Sequence, residues 1–231
     1  MTRIDRLICL PYAGGSSLAF RSWHRIFTEC TIRAPELPGR GRRAGEPLME
    51  SMDALVSDLV ERLADDLYAP GDYALFGHSF GGLLAFALTA RLERAGMPLP
   101  RAVCISGINP PHRLRAAQLH RLDDARFAAR VAEYGGLPRE IQQRSVWLRD
   151  LLPVLRADFR AMETHAWSRS AAINVPIDIV EAREDPAIDA RSLHEWSRYS
   201  TRGARLHGID ARGHFYLDTH GGEIAALIAA R

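Results

Sequence analysis

The chain has 231 residues, of which 47% are hydrophobic and 25% are charged, and its formal net charge is +2. This length fits one domain with a substantial buried core, and the composition excludes a disordered chain. The longest apolar segment, LLAFALTA, is far shorter than the ~18 residues of a membrane-spanning helix. The N-terminal apolar run ends at Pro11, which is too early for the core of a signal peptide. We therefore expect a cytoplasmic protein.

All 30 basic residues are arginines, and 28 acidic residues are interleaved with them along the chain. A guanidinium group suits phosphate or acidic partners, but a codon bias toward arginine explains the same composition. The interleaved charges predict no binding to nucleic acid. Cys9, Cys30 and Cys104 show neither metal-binding nor disulfide spacing, and we expect buried free thiols at Cys9 and Cys104.

Short β-rich runs alternate with helical patterns, which is typical of a parallel sheet with helices on both faces. In chain order the predicted strands are RLICL (Arg6–Leu10), TIRAPE (from Thr31), YALFG (Tyr73–Gly77), RAVCIS (Arg101–Ser106), PIDIVEA (Pro176–Ala182) and ARLHGI (Ala204–Ile209). The predicted fold class is therefore α/β, in a single domain over residues 1–231.

The first long helix is predicted over SMDALVSDLVERLADDL, with Ser51 as its N-cap and its apolar residues on one stripe. A second helix, FGGLLAFALTARLERAG, follows the third strand directly and ends at Gly96, and GGEIAALIAAR forms the last helix. Residues 109–168 interrupt the alternation with helical patterning and no convincing strand. An insertion at this point lies over the carboxyl ends of the strands, so we predict a helical lid. A peripheral helical layer is the alternative.

The segment Gly-His-Ser-Phe-Gly joins the third predicted strand to the helix that follows it. It matches the G-x-S-x-G nucleophile elbow, in which a strained turn exposes the serine and the glycines leave room for a tight strand–helix crossing. A strand before it and a helix after it are the context that this motif requires. Ser79 is therefore predicted to be a nucleophile rather than a turn-forming serine, and His78 is predicted to be structural.

A serine nucleophile needs a base, and in α/β hydrolases the order along the chain is serine, acid, histidine. His214 lies in a glycine-flanked loop after the last predicted strand and is the predicted base, whereas His207, inside that strand, is the rival. The acid that orients the base is predicted to be Asp185, which begins the loop after the fifth strand and precedes a rigid proline. Asp189 and Glu184 remain alternatives.

The oxyanion of an acyl-transfer intermediate needs two backbone N–H donors. One is predicted to be the amide of Phe80, directly after the nucleophile. The other is predicted in the segment LPYAGGSS, whose residues 11–16 we call the glycine loop, with Ala13 as the donor. A turn that only leads into the next helix is the alternative for this loop. Because the chain has neither a metal-spaced cluster nor a G-x-G-x-x-G motif, we expect no metal and no cofactor.

Several segments together resemble the type II thioesterases that accompany polyketide synthases and nonribosomal peptide synthetases: LPYAGGSSLAFRSWHR, APELPGRGRR, LFGHSFGGLLAF, LPVLRADFRAMETH and ARGHFYL. They span almost the whole chain at compatible spacing. The resemblance implies an α/β-hydrolase fold with a helical lid, and hydrolysis of acyl thioesters on the phosphopantetheine arm of acyl or peptidyl carrier proteins. It places the family's nucleophile, acid and base on Ser79, Asp185 and His214, and its oxyanion amides on Ala13 and Phe80.

The chain departs from the family pattern in three places. Phe80 stands where methionine is usual, and its bulk is expected to narrow the acyl pocket. Gly41 replaces an acidic residue, and His165 replaces a tyrosine. These differences concern substrate choice more than catalysis.

An acidic carrier protein is the expected partner, and a monomer is the expected state. Arginines of the predicted lid are expected to meet the carrier by complementary charge, with a solvated helix face as the alternative: Arg113, Arg115, Arg121, Arg126 and Arg130. Two other functions remain open beside the editing thioesterase. One is an esterase or thioesterase for free esters or acyl-CoA, and the other is a non-catalytic binding protein on a hydrolase scaffold.

Overall fold

The computed structural model describes residues 4–114, 118–134, 145–167 and 172–229. Six parallel strands form one sheet in the order β2-β1-β3-β4-β5-β6. The strands are β1 (Arg6–Leu10), β2 (Thr31–Arg33), β3 (Tyr73–His78), β4 (Val103–Ser106), β5 (Ile177–Glu184) and β6 (Ala204–Arg212). The predicted α/β class and its parallel sheet are confirmed.

Helices connect the strands and cover both faces of the sheet. They are α1 (Trp23–Ile26), α2 (Met52–Arg62), α3 (Ala64–Tyr68), α4 (Phe80–Arg94), α5 (Asp124–Glu133), α6 (Ser145–Thr164) and α7 (Leu217–Ala229). Short 3-10 segments complete the connections, and the longest runs over Ala190–Tyr199. None of the helices in the described ranges is both long and apolar enough to cross a membrane.

The central strands β1, β3 and β4 are buried along their whole length, because a parallel sheet is covered on both faces. Alternate side chains point to opposite faces. Ile8 and Leu10 join the apolar cluster under α2 and α4, whereas Leu7 and Cys9 join the cluster that includes α7. Each face therefore has its own core, and Cys9 and Cys104 are buried thiols as predicted.

Some predicted boundaries were wrong. The helix predicted as continuous from Ser51 breaks at Leu63, which has φ −95° and ψ 6°, and resumes as α3. Ser51 occupies the N-cap position but makes no side-chain capping hydrogen bond. Strand β6 extends beyond Ile209 because it continues to pair with β5 past an irregularity in the register, as far as Arg212. The last helix begins at Leu217, before the predicted Gly221.

Between β4 and β5 the described part of residues 109–168 contains only helices. Helices α5 and α6 pack through a small apolar cluster of their own, which includes Phe127, Val131 and Leu155. We call residues 109–168 the insertion. Residues 115–117, 135–144 and 168 lie outside the described residues, and the role of the insertion as a lid stays a prediction.

The strand order reverses between β1 and β3, since the chain after β1 adds β2 on one side and all later strands on the other. Leu10 at the end of β1 lies beside Gly77 near the end of β3. The glycine loop and the serine turn therefore leave the sheet side by side. This switch point is where open α/β sheets form their ligand crevice.

Candidate active site

Ser79 occupies a strained turn between β3 and α4. Its φ is +54° and its ψ is −120°, a backbone conformation that costs energy for a residue with a side chain. A Cβ at Gly77 would lie 2.0 Å from the carbonyl oxygen of Gly81, and a Cβ at Gly81 would lie 2.0 Å from that of Leu10. Both glycines of the motif are therefore required by close backbone contacts. Within the motif, the strained backbone conformation falls on Ser79.

His214 and Asp185 form a buried pair at the neighbouring strand ends. His214 Nδ1 lies 2.7 Å from Asp185 Oδ2, and the two side chains are 5% and 2% exposed. The carboxylate accepts the Nδ1 proton, which leaves Nε2 as the basic nitrogen. The other carboxylate oxygen accepts the Ala187 amide at 2.9 Å, so the orientation of Asp185 is fixed from both sides.

The structure also separates the residues between which the sequence left a choice. Asp189 accepts the amide of Arg191 at the start of a 3-10 segment, and Glu184 lies 3.7 Å from Arg212 at the surface. His207 pairs with Asp178 at 2.8 Å within the sheet. These groups therefore have structural partners other than His214.

A chain of buried hydroxyl and imidazole groups holds the backbone of His214. His78 is fully buried, and its Nε2 donates to the His214 carbonyl oxygen at 2.8 Å. Its Nδ1 lies 3.0 Å from Ser106 Oγ, which lies 2.7 Å from the hydroxyl of Tyr216. Burial, with the neighbouring His214, holds the pKa of His78 well below its usual 6.5. His78 is therefore neutral at pH 7 and has the structural position that the sequence predicted.

Two backbone amides have the positions expected of oxyanion donors. Phe80 is the first residue of α4, and an N–H in the first turn of a helix has no intrahelical acceptor. In the glycine loop, Gly15 N–H donates to the Tyr12 carbonyl oxygen at 2.9 Å and Gly14 has a φ of +74°. These features define a β-turn of type II form, with Ala13 at its first central position. Among the described residues, no acceptor is paired with the Ala13 N–H.

A cavity of about 1000 Å³ opens beside these groups. Ser79, His214, Ala13 and Phe80 all line it, together with apolar side chains from α6. Within the described residues no hydrogen bond joins Ser79 Oγ to His214. In unliganded hydrolases this contact is often long and tightens when substrate binds, so the arrangement is compatible with catalysis.

The three departures from the family pattern have distinct surroundings. Phe80 is fully buried in the core and also lines the cavity, so its effect on the acyl pocket stays a prediction. Gly41 has a φ of +52°, which favours glycine, and a Cβ there would lie 2.1 Å from the Glu36 carboxylate, which would have to move to accept a side chain. His165 lines the cavity with its ring 4.4 Å from that of Trp167, and burial lowers its pKa.

Three of the arginines that were expected to meet a carrier already have acidic neighbours, whereas Arg121 forms no ion pair with a described residue. Arg113 pairs with Glu195 at 2.6 Å, and Arg130 pairs with Glu133 at 2.6 Å. Arg126 lies 3.4 Å from the aspartate at the N-cap of its helix. Arg115 lies outside the described residues. The role of these arginines in carrier binding stays a prediction.

Sequence reasoning missed one buried ion pair beside the glycine loop. Arg40 donates to both carboxylate oxygens of Asp158, at 2.6 and 2.7 Å, and the side chains are 5% and 0% exposed. Asp158 Oδ2 also accepts the Gly14 amide at 2.7 Å. The available signal was a carboxylate at helical spacing among the apolar residues of α6, because a charge on a buried helical stripe needs a partner.

Serine hydrolases of the α/β-hydrolase type are the class that this sheet and this serine turn define. A family model for the thioesterase domain matches residues 5–231, and the chain belongs to the thioesterase family.

Known proteins support this assignment over nearly the full chain. Thioesterase PikA5 of Streptomyces venezuelae is 32% identical over 220 residues, which cover 95% of this chain and 78% of that protein. The crystal structure of ClbQ, from the colibactin NRPS/PKS pathway, matches with a TM-score of 0.90 and 30% identity, and covers 98% of this chain and 96% of that one. RedJ, a thioesterase from the prodiginine pathway of Streptomyces coelicolor, matches with a TM-score of 0.89 and 31% identity, covering 98% and 89%.

Proposed function

We propose that this thioesterase hydrolyses acyl thioesters from the phosphopantetheine arm of acyl or peptidyl carrier proteins in polyketide or nonribosomal peptide biosynthesis. Its relatives support this assignment, since ClbQ is named for an NRPS/PKS pathway and RedJ for prodiginine biosynthesis. The proposed task is editing, in which stalled acyl groups are removed from the carrier. Such a protein acts where the synthase is made, which is the cytoplasm.

In the proposed mechanism Ser79 Oγ attacks the thioester carbonyl carbon while His214 Nε2 accepts the hydroxyl proton. Asp185 stabilises the imidazolium, and the amides of Ala13 and Phe80 hold the oxyanion. The carbon–sulfur bond then breaks, and His214 returns the proton to the leaving thiolate. Water, deprotonated by the same histidine, attacks the acyl-serine ester, and His214 returns this proton to Ser79 Oγ as the carboxylic acid leaves. Apart from water, every group proposed to assist the reaction belongs to the chain, so the proposed chemistry uses no cofactor and no metal.

The observation that carries the proposal is the buried 2.7 Å contact between His214 Nδ1 and Asp185, on a histidine that lines the same cavity as Ser79. A histidine held in one tautomer is what a serine needs to lose its proton. Leu155, Phe159 and Met162 of α6 give the cavity an apolar wall that suits an acyl chain, and Glu163 of the same helix also lines it.

Replacement of Ser79 by alanine tests the chemistry. We expect release of free thiol from an acyl-phosphopantetheinyl carrier protein to fall at least about 10⁴-fold, because the acyl-enzyme no longer forms. A fluorophosphonate probe is expected to label the wild type and not the variant. Unchanged turnover in the variant, or a wild type that resists the probe, would contradict the proposal.

The substrate class is tested with one acyl group presented in three forms. We expect kcat/KM to be highest for the carrier-bound thioester, lower for the CoA thioester and lowest for an oxygen ester. Equal values for the carrier and CoA forms would favour a thioesterase for free acyl-CoA instead.

A further inference from the structure

We infer that the buried ion pair between Arg40 and Asp158 is a positioning element for the oxyanion donor of the glycine loop. The inference rests on the proposed role of the Ala13 amide. The pair joins three segments that are distant along the chain: the glycine loop, the turn that holds Arg40, and helix α6 of the insertion. Arg40 and Asp158 are 118 residues apart in sequence.

The hydrogen bonds fix successive peptide planes of the glycine loop. The Tyr12 carbonyl and the Ala13 N–H belong to one planar peptide unit, so the bond from Gly15 N–H to the Tyr12 oxygen also sets the direction of the Ala13 N–H. The next plane contains the Gly14 N–H, which is held by Asp158 at 2.7 Å. Arg40 Nη1 also contacts the Gly15 carbonyl oxygen at 3.4 Å. The donor is therefore oriented by a bond within its own loop, and groups from outside the loop hold the peptide planes beside it.

The glycine loop packs closely against α6. A Cβ at Gly14 would lie 2.6 Å from Leu155, so the loop backbone lies directly against the helix. Leu151, Leu155 and Asp158 share one face of α6, since they are separated by four and then three residues. This face places an apolar contact and a charged hydrogen bond on the same glycine.

The contact between Asp158 and the glycine loop is stable although it is buried, because the carboxylate is paired. A buried carboxylate is costly unless it is paired and hydrogen-bonded, and Asp158 accepts three N–H groups from Arg40 and Gly14. Removal of Arg40 leaves that carboxylate short of donors. Removal of Asp158 leaves both the guanidinium and the Gly14 amide without their acceptor. Either change is expected to release the turn that aims the Ala13 N–H.

Three variants and one matched control test the inference: Arg40→Met, Asp158→Asn, the double variant Arg40→Met/Asp158→Leu, and Arg43→Met as the control. Arg43 is a buried arginine of the same segment whose ion partners are Glu46 and Asp58, away from the glycine loop. The double variant removes the buried charges together, which spares the fold the cost of an unpaired ion.

The measurements are kcat and KM for a carrier-bound thioester, thermal unfolding, and the affinity for a trifluoromethyl ketone analogue that forms a tetrahedral adduct with serine. Loss of one oxyanion donor lowers kcat about 10²–10³-fold, so displacement of the donor is expected to cost about 10–100-fold. We expect this loss in all three test variants with KM changed less than about threefold, and a matching loss of affinity for the ketone. Arg43→Met is expected to lower the unfolding temperature but to keep kcat within about twofold.

A double variant that regains wild-type kcat, or test variants that lose no more kcat than Arg43→Met, would overturn the inference and leave the pair a purely structural feature. Ser79→Ala, assayed beside these variants, distinguishes failure of the positioning role from failure of the proposed function. Turnover that depends on Ser79 but not on Arg40 and Asp158 refutes only the positioning role, whereas turnover independent of Ser79 refutes the proposed function.

Discussion

The two halves of the candidate site are held in place in different ways. On the base side, Ser79, Asp185 and His214 follow strands of the sheet, and their partners lie in neighbouring strand ends and loops. On the oxyanion side, the glycine loop follows β1 but depends on a carboxylate from α6 in the insertion. The chemistry on the first side is carried by side chains, and on the second by backbone amides.

The two halves of the candidate site therefore depend on different parts of the fold. The base side is supported by the sheet and its two cores. The proposed second oxyanion donor depends in addition on the packing of the insertion, through the bond between Asp158 and the Gly14 amide. Defects on the base side are therefore expected to abolish catalysis, and defects on the oxyanion side to weaken it.

Among the changes that compare the two halves, replacement of Asp185 by asparagine is expected to give the largest effect. The amide no longer stabilises the imidazolium and favours the wrong tautomer of His214, so kcat should fall about 10³–10⁴-fold. In a Ser79→Ala background, which does not turn over the substrate, Asp185→Asn should leave substrate binding unchanged because the cavity is intact. Turnover assays and equilibrium binding check this. A loss no larger than that of Arg40→Met would remove the distinction between the two halves.

The change Gly81→Ala tests the close backbone contact between the serine turn and the start of the glycine loop, where the two halves of the site meet. A Cβ at Gly81 would lie 2.0 Å from the Leu10 oxygen and 2.6 Å from the Pro11 oxygen, at the entrance to the glycine loop. Backbone atoms cannot yield easily, so we expect the free energy of unfolding to fall by about 3 kcal/mol or more. Urea unfolding measures it. Gly222→Ala is the control, since no atom lies within 4 Å of its Cβ, and an equal loss in both variants would contradict the steric argument.

The pH dependence of stability tests the buried network on the base side. The pKa of His78 is lowered in the folded state, so the unfolded chain binds a proton near pH 6.5 that the folded chain does not. The contribution of His78 to stability is complete above pH 6.5 and is lost as the pH falls, by up to about 1.4 kcal/mol per pH unit. His78→Gln cannot titrate. We expect this variant to be less stable at pH 7.5 but to lose less stability than the wild type between pH 7.5 and 5.

Thermal unfolding at several pH values measures this difference. An identical pH dependence in the two proteins would show that His78 is not held neutral by its surroundings.

The smallest effect is expected for Phe80→Met. The two side chains are close in size, so the fold should lose less than about 1.5 kcal/mol. A flexible methionine in the cavity wall should accept longer or branched acyl groups, and we expect a change of a few fold in relative kcat/KM across a series of acyl carriers. The same ranking and ratios as in the wild type would show that Phe80 does not narrow the pocket.

Local patterns indicated the residues of the base side. The apolar runs of the strands and the glycines around Ser79 depend on neighbours in sequence, and the chain order of serine, acid and histidine indicated Asp185 and His214. The sequence favoured Asp185 over Asp189 and Glu184 from its place at the start of a loop and before a proline, but only the folded structure shows which carboxylate contacts His214.

The oxyanion side was predictable only in part. The glycine loop was visible as a motif, but its link to Arg40 and Asp158 joins segments whose proximity only the folded insertion creates. The break of the helix at Leu63 was missed for a similar reason, since its apolar stripe continues across the break and packing determines where the backbone bends.

The three hydrogen bonds to Asp158 also have a consequence for protein engineering. Exchange of the insertion between related enzymes is an obvious way to alter which acyl groups they accept. A chimera that imports residues 109–168 also imports the acceptor for a backbone amide near the reaction centre. Arg40, which donates to the same carboxylate, lies outside this range and comes from the recipient. Successful grafts should therefore be those in which both ends of this link come from compatible parents.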